Sequence, residues 1–142
     1  MRSTIARFPH DPQNSMSAGV LLKAYLILTQ LPFNVQLFVG HYNSVDIEDI
    51  KGQTALICAA RSGHVEVVEA LIKGGANVNR PDNHGRRALI HATEFGHVEV
   101  VEALLKNGAN VQSKDNDSRT ALMFAQHYEH IDVANVLIKA GA

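Results

Sequence analysis

The sequence predicts an all-α protein in which short helix–turn–helix repeats stack into a solenoid. Asp49 recurs as Asp82 and Asp115, a period of 33 residues, and the surrounding positions keep the same register. Each copy holds two segments with apolar residues at helical spacing, and neither segment is long enough to be a stable helix alone. Each unit must therefore bury its apolar flanks against its neighbours.

The similarity between the copies sets the repeat boundaries. Residues 49–81 and 82–114 are identical at 20 of 33 positions, including the block GHVEVVEAL at 63–71 and 96–104. Residues 115–142 match 82–109 at 12 of 28 positions, so the third copy is looser and truncated. We therefore expect one domain with repeats at 49–81, 82–114 and 115–142.

Within each copy, the residue types predict a turn followed by two helices. In the first copy an Asp and a Gly begin the turn, a first helix covers 54–60, Gly63 breaks the chain, and a second helix covers 65–72. Small residues on the first helix permit close helix approach, and apolar residues on the second form a buried stripe. These residues are Ala55, Ala59 and Ala60, and then Val65, Val68, Leu71 and Ile72.

The TALI and TALM segments, the GHVEVV blocks and the GGANVN and NGANV endings resemble ankyrin repeats over residues 49–142. The family usually has the motif Thr-Pro-Leu-His at the start of the first helix. In this chain the histidine position of that motif is taken by Ile57, Ile90 and Met123. We expect these three apolar residues to replace the family's hydrogen bonding by packing. Glu129 stands where Gly63 and Gly96 stand, and the resemblance implies a left-handed backbone there, which costs glutamate about 1 kcal/mol.

Residues 16–48 fit the repeat frame faintly and are predicted to be a divergent first repeat that caps the stack. Its helices would cover 17–29 and 33–39, and residues 1–15 would be a flexible tail. The apolar stretch 20–31 has an alternative interpretation as part of a secretory signal. Lys23 within it and Pro32 after it favour a buried helix.

Composition excludes several function classes. The chain has 13 Lys and Arg against 14 Asp and Glu, a formal net charge of −1, which favours neither nucleic acid nor a membrane surface as a partner. Cys58 is the single cysteine, so no intramolecular disulfide can form. This fits a reducing compartment, and we expect a cytoplasmic protein, with the nucleus as the alternative.

The eight histidines and the cysteine raise the question of metal binding or catalysis. His64, His97 and His130 occupy one repeat position, and successive repeats hold them too far apart to converge at about 2 Å on one zinc ion. Cys58 and His91 are likewise separated by one repeat, so they are a poor nucleophile and base. We expect no enzyme, no cofactor and no metal.

The resemblance implies a protein-interaction module, either an adaptor or an inhibitor, that binds another protein through turn tips and the concave first-helix face. Positions there that vary between copies are the candidates, and exposed aromatic and arginine side chains are typical interface anchors. The alternative is a self-assembling or fragmentary repeat array whose open C-terminal flank packs on another copy, and hydroxylation of Asn79 stays open. The candidates are Ile50, Lys51, Gln53, Arg61, Ser62, Asn83, His84, Arg86, Glu94, Phe95, Asn116, Asp117, Arg119, His127 and Tyr128.

Overall fold

The computed structural model describes residues 44–46 and 48–142, and this part of the chain contains six α-helices and one short 3-10 helix. The α-helices form three antiparallel pairs, one for each predicted repeat. The predicted helices of the first copy begin and end within two residues of the observed ones. The elements are the 3-10 helix Ser44–Asp46, then α1 Ala55–Ser62, α2 Val65–Lys73, α3 Ala88–Glu94, α4 Val98–Lys106, α5 Ala121–His127 and α6 Ile131–Lys139.

The residue before the first helix has the same extended backbone in all three repeats, although its side chain differs. The Thr54 hydroxyl accepts a hydrogen bond from the backbone N–H of Ile57 (3.3 Å), and Thr120 caps α5 in the same way. Arg87 holds the same extended backbone before α3 but makes no side-chain cap. Capping by threonine stabilises a helix by about 1 kcal/mol, so α3 depends more on its tertiary contacts.

Helices pack in two layers. α1 contacts α3 and α3 contacts α5, which gives a layer of first helices, while α2, α4 and α6 form the second layer. Alanines between the first helices are buried and permit close approach, as predicted. Val68 and Leu71 of the predicted stripe are fully buried, and Val65 and Ile72 are partly buried. Each fully buried valine or leucine side chain stabilises the fold by about 1.5–3 kcal/mol.

The repeats are joined at the start of each second helix by a histidine. Nε2 of His97 donates to the backbone carbonyl of Arg61 in the preceding repeat (2.9 Å), and Nε2 of His130 donates to the carbonyl of Glu94 (2.9 Å). Each ring lies against a glycine with positive φ, because a Cβ added to Gly63 or Gly96 would meet the ring within 3 Å. These histidines therefore fix the distance between repeats.

A second contact of the same kind joins the turns. A Cβ added to Gly52 would lie 2.5 Å from Oδ1 of Asn83, and one on Gly85 would lie 2.4 Å from Oδ1 of Asn116. The third repeat carries Ser118 at this position (φ 63°). Sequence analysis did not identify this second non-glycine residue with a left-handed backbone.

Glu129 has the left-handed backbone that the resemblance implied, with φ of 59°. The glycines at the same position in repeats 1 and 2 have φ of 78° and 73°. Repeat 3 therefore adopts the turn at a cost of about 1 kcal/mol that its neighbours avoid.

The prediction that apolar residues pack at the position where the family has a histidine is right in two repeats and wrong in the third. Ile57 and Ile90 are fully buried, but the Met123 side chain is 50% exposed. The reason lies in the neighbours: α3 has a first helix on each side, whereas no first helix follows α5 among the described residues. Met123 is thus a surface residue.

The flexible tail predicted for 1–15 and both helices predicted within 16–48 lie outside the described residues. At the end of that unit, Val45 packs against the core of repeat 1 and Oδ1 of Asp46 accepts from the backbone N–H of Asn77 (3.1 Å). Glu48 forms an ion pair with Arg80. In the described part of the chain, no helix has the length and hydropathy needed to cross a membrane.

Two glycines allow a direct test of the histidine junction. Gly96 and Gly108 both have positive φ, but a Cβ on Gly96 would meet the His130 ring at 2.8 Å, while a Cβ on Gly108 would meet nothing within 4 Å. We expect Gly96→Ala to lower the free energy of unfolding by at least about 1 kcal/mol more than Gly108→Ala, since only the first combines collision with backbone strain. Urea denaturation of both variants measures this, and equal losses would contradict the junction.

Candidate interaction surface

Each turn tip is organised by the aspartate that begins its repeat. Oδ1 of Asp82 accepts hydrogen bonds from the backbone N–H groups of His84 (2.8 Å) and Arg86 (2.9 Å). Asp49 and Asp115 make the same two bonds in their own repeats. We use "turn tips" for residues 49–53, 82–86 and 115–119. Hydrogen bonds within the chain therefore fix the shape of the turn tips.

Neighbouring turn tips are also bonded to each other. The backbone N–H of Asn83 donates to the carbonyl of Lys51 (3.1 Å), and its side-chain amide donates to the carbonyl of Ile50 (3.1 Å). Asn116 bonds the second turn tip in the same way. Asn83 and Asn116, which were predicted to contact a partner, thus also hold the tips in a row.

One predicted site residue is not on the surface. The Gln53 side chain is only 7% exposed, and its Oε1 accepts a hydrogen bond from Nη2 of Arg61 (2.8 Å). The expectation that Gln53 faces a partner directly is corrected, because burial leaves it acting only through Arg61. In repeat 2 the same two positions hold Arg86 and Glu94, whose side chains are 3.3 Å apart.

Large apolar side chains lie exposed at the ends of the first helices. Phe95 is 51% exposed and Tyr128 is 46% exposed, at the position held by Ser62 in repeat 1. Phe95 stacks on His97 and Tyr128 stacks on His130, with ring centroids 6.4 and 6.2 Å apart. One face of each ring is thereby supported by a junction histidine, while about half of the side chain remains accessible.

Between repeats 2 and 3 the surface forms an open groove of about 350 Å³. Phe124 is its buried floor, and the guanidinium groups of Arg86 and Arg119 lie 5.1 and 4.9 Å from the centre of the Phe124 ring. We call this the third-repeat groove; it is lined by Arg86, Arg119, Met123, Phe124, His127 and Tyr128. Met123 was expected to pack, and Phe124 was not considered, so neither was among the predicted site residues.

The remaining predicted site residues are at the surface. Ile50 is the most exposed of the large hydrophobic ones, and Lys51, Ser62, His84 and Asp117 are exposed as well. Phe95, Asn116, His127 and Tyr128 are exposed, and Arg61, Arg86, Glu94 and Arg119 are partly exposed. Which of them touches a partner stays a prediction.

A buried hydrogen bond between a histidine and an aspartate lies beneath this surface. Nε2 of His91 donates to Oδ2 of Asp82 (2.9 Å), and both side chains are almost fully buried. Burial lowers the pKa of His91 below its ordinary value, against the opposing effect of Asp82. Burial alone would raise the pKa of Asp82, but hydrogen bonds from His91, Arg86 and His84 outweigh it and lower that pKa. Sequence analysis considered His91 only as a base for Cys58.

The side chain of Asn79 is engaged in the frame between repeats. Its Oδ1 accepts from the backbone N–H of Asn110 (2.8 Å), and its Nδ2 donates to the carbonyl of Gly108 (3.1 Å). Within residues 44–46 and 48–142, no group of three or more His, Cys, Asp or Glu side chains is arranged to hold a metal ion.

Stacked helical pairs with a row of rigid turn tips and an exposed first-helix face define a helical-repeat protein. The family model described as ankyrin repeats, in three copies, matches residues 30–115, and a further ankyrin-repeat model matches residues 117–142. The chain therefore belongs to the ankyrin-repeat family. The match from residue 30 includes part of the unit predicted to be a divergent repeat. A search of curated proteins finds no match. Ankyrin repeats are generally non-catalytic modules for protein–protein interaction.

The buried pair predicts a pH dependence of stability. Unfolded histidine has a pKa of about 6.5, so below that pH the unfolded chain takes up a proton that folded His91 resists, and stability falls. Each pH unit in this window contributes up to about 1.4 kcal/mol. We expect His91→Gln, which keeps a donor for Asp82 without titrating, to lose less stability than the wild type between pH 8 and pH 5.5. Urea denaturation at both pH values measures the difference, and identical losses would show that His91 titrates freely.

Proposed function

We propose that this chain is a non-catalytic adaptor or inhibitor that binds another protein through its turn tips and the concave face of its first helices. The observation that carries the proposal is the pair Phe95 and Tyr128, which the stacking frame does not need as large rings, since Ser62 fills the same position in repeat 1. Rings half accessible at equivalent places in adjacent repeats are typical anchors of an interface.

The chemistry of the two reactive side chains supports a binding role. Burial raises the pKa of the Cys58 thiol, although Arg61 acts in the opposite direction, so the thiol stays protonated and weakly nucleophilic at neutral pH. His91 is held by Asp82 and lies in the core. A free thiol is preserved in a reducing compartment, which supports a cytoplasmic location, with the nucleus as the alternative.

Self-assembly through the C-terminal flank is the alternative. It is favoured by Ile131 and Ile138, which are 70% and 54% exposed on α6. The geometry of repeat 3 argues against stacking in the ordinary register, because the Cβ atoms of Ser118 and Glu129 occupy the places where glycine admits the next asparagine and histidine. Light scattering over a concentration series should show a monomer, whereas a mass that rises with concentration would favour assembly.

The anchors can be tested by removing them together. We expect Phe95→Ala with Tyr128→Ala to keep the circular dichroism signal of the helices while a pulldown loses the partners captured by the wild type, because half-exposed rings contribute more to a contact than to the core. The matched control is Ile131→Ala with Ile138→Ala, which removes two exposed apolar side chains from α6. Loss of the helical signal in the first variant would place the rings in the core. Loss of capture only in the control would move the interface to the C-terminal flank.

A further inference from the structure

In repeats 1 and 2 the last residue of the turn tip pairs with a residue in the last turn of the first helix. In repeat 1 they are Gln53 and Arg61, hydrogen-bonded at 2.8 Å. In repeat 2 they are Arg86 and Glu94, paired at 3.3 Å. In repeat 3 the corresponding residues are Arg119 and His127, both bases, and no hydrogen bond joins them.

Arg119 pairs with two carboxylates of its own turn tip. Its Nε donates to Oδ2 of Asp115 (3.0 Å) and its Nη2 donates to Oδ2 of Asp117 (2.9 Å). Its Nη1, and Nη2 of Arg86, have no hydrogen-bond partner among the described residues. The position where Glu94 sits in repeat 2 therefore lacks a carboxylate in repeat 3, while guanidinium donors remain beside it.

The charges that line the third-repeat groove all have one sign. Its charged lining residues are Arg86 and Arg119, with His127 beside them, and no carboxylate lines it. Two carboxylates pair with Arg119: Asp115 is 1% exposed, and Asp117 is 74% exposed and does not line the groove. Among the lining residues, the guanidinium groups are the charged groups, and guanidinium groups bind carboxylates with strong, directional hydrogen bonds.

Apolar surface adjoins these donors. Met123 and Tyr128 are both about half exposed and belong to the same lining, above the buried ring of Phe124. The corresponding positions between repeats 1 and 2 differ, since Ile90 is buried there and Glu94 supplies a carboxylate. The combination of free donors with an accessible apolar wall thus occurs at the junction of repeats 2 and 3.

We propose that the third-repeat groove binds a partner segment that carries an Asp or Glu side chain next to a large apolar side chain. The carboxylate lies between Arg119 and His127 and takes the place that Glu94 fills in repeat 2. The neighbouring apolar side chain packs against Met123 and Tyr128. This inference rests on the proposed binding function and names the chemistry of the partner.

Repeat 2 supplies the design for the test. In His127→Glu the chain gains the carboxylate that repeat 2 already has, so Nη1 of Arg119 gains a partner within the chain and the groove closes to an outside acid. The probes are peptides selected from a random phage-displayed library on the full chain and then synthesised, each also with its acidic residue changed to the amide. Fluorescence anisotropy gives Kd for each peptide, and urea denaturation shows that the variant stays folded. The control, Lys106→Glu, introduces the same residue at an exposed site on α4.

We expect the selected peptides to share an acidic residue beside a large apolar one. Their affinity should fall about tenfold in His127→Glu and by a similar factor in the amide peptides, and it should change less than about twofold in Lys106→Glu. Peptides without an acidic residue, unchanged affinity in His127→Glu, or no selected peptide would overturn the inference. If the peptides bind through Phe95 and Tyr128 but ignore His127→Glu, the binding surface stands and the acidic preference fails; if neither change matters, both fail.

Discussion

The structure depends on the junction between successive repeats, where a histidine ring lies against a glycine and bonds a carbonyl. His97 joins repeat 2 to repeat 1 in this way, and His130 joins repeat 3 to repeat 2. Helices of seven to nine residues are marginal in isolation, so each pair becomes stable only when its apolar faces are covered by a neighbour. The junction sets the distance between successive repeats, and the stability of each repeat therefore depends on its neighbours.

The same constraint separates the residues that build the frame from those free to bind. The contacts within and between repeats use Asp82, the junction histidines and the glycines beneath them. Phe95 and Tyr128 stack on the junction histidines, but about half of each side chain stays exposed. Repeat 3 departs furthest from its neighbours. It has Ser118 and Glu129 in place of glycine, and it has the basic residues Arg119 and His127 where repeat 2 pairs an arginine with a glutamate. Variation concentrated there changes the surface of repeat 3 while the frame stays regular.

Much of the fold could be predicted from the sequence, because a 33-residue period reports directly on stacked helical pairs. The surface was less predictable, since a repeat position does not say which neighbour covers it. Met123 aligns with the buried Ile57 and Ile90 yet is exposed, and Gln53 lies in a variable turn tip yet is buried. The bond between Asp82 and His91 joins residues of one repeat that have no equivalent pair in the others, so periodicity gave no signal for it.

The junction histidines hold the repeats together, and NMR of their imidazole groups can detect this contact in solution. We expect the Nε2–H protons of His97 and His130 to exchange slowly with water, and their rings to show nuclear Overhauser effects to the α protons of Gly63 and Gly96. Rapidly exchanging Nε2–H protons on both rings, with no such effects to the glycines, would show that the repeats do not stack through this contact.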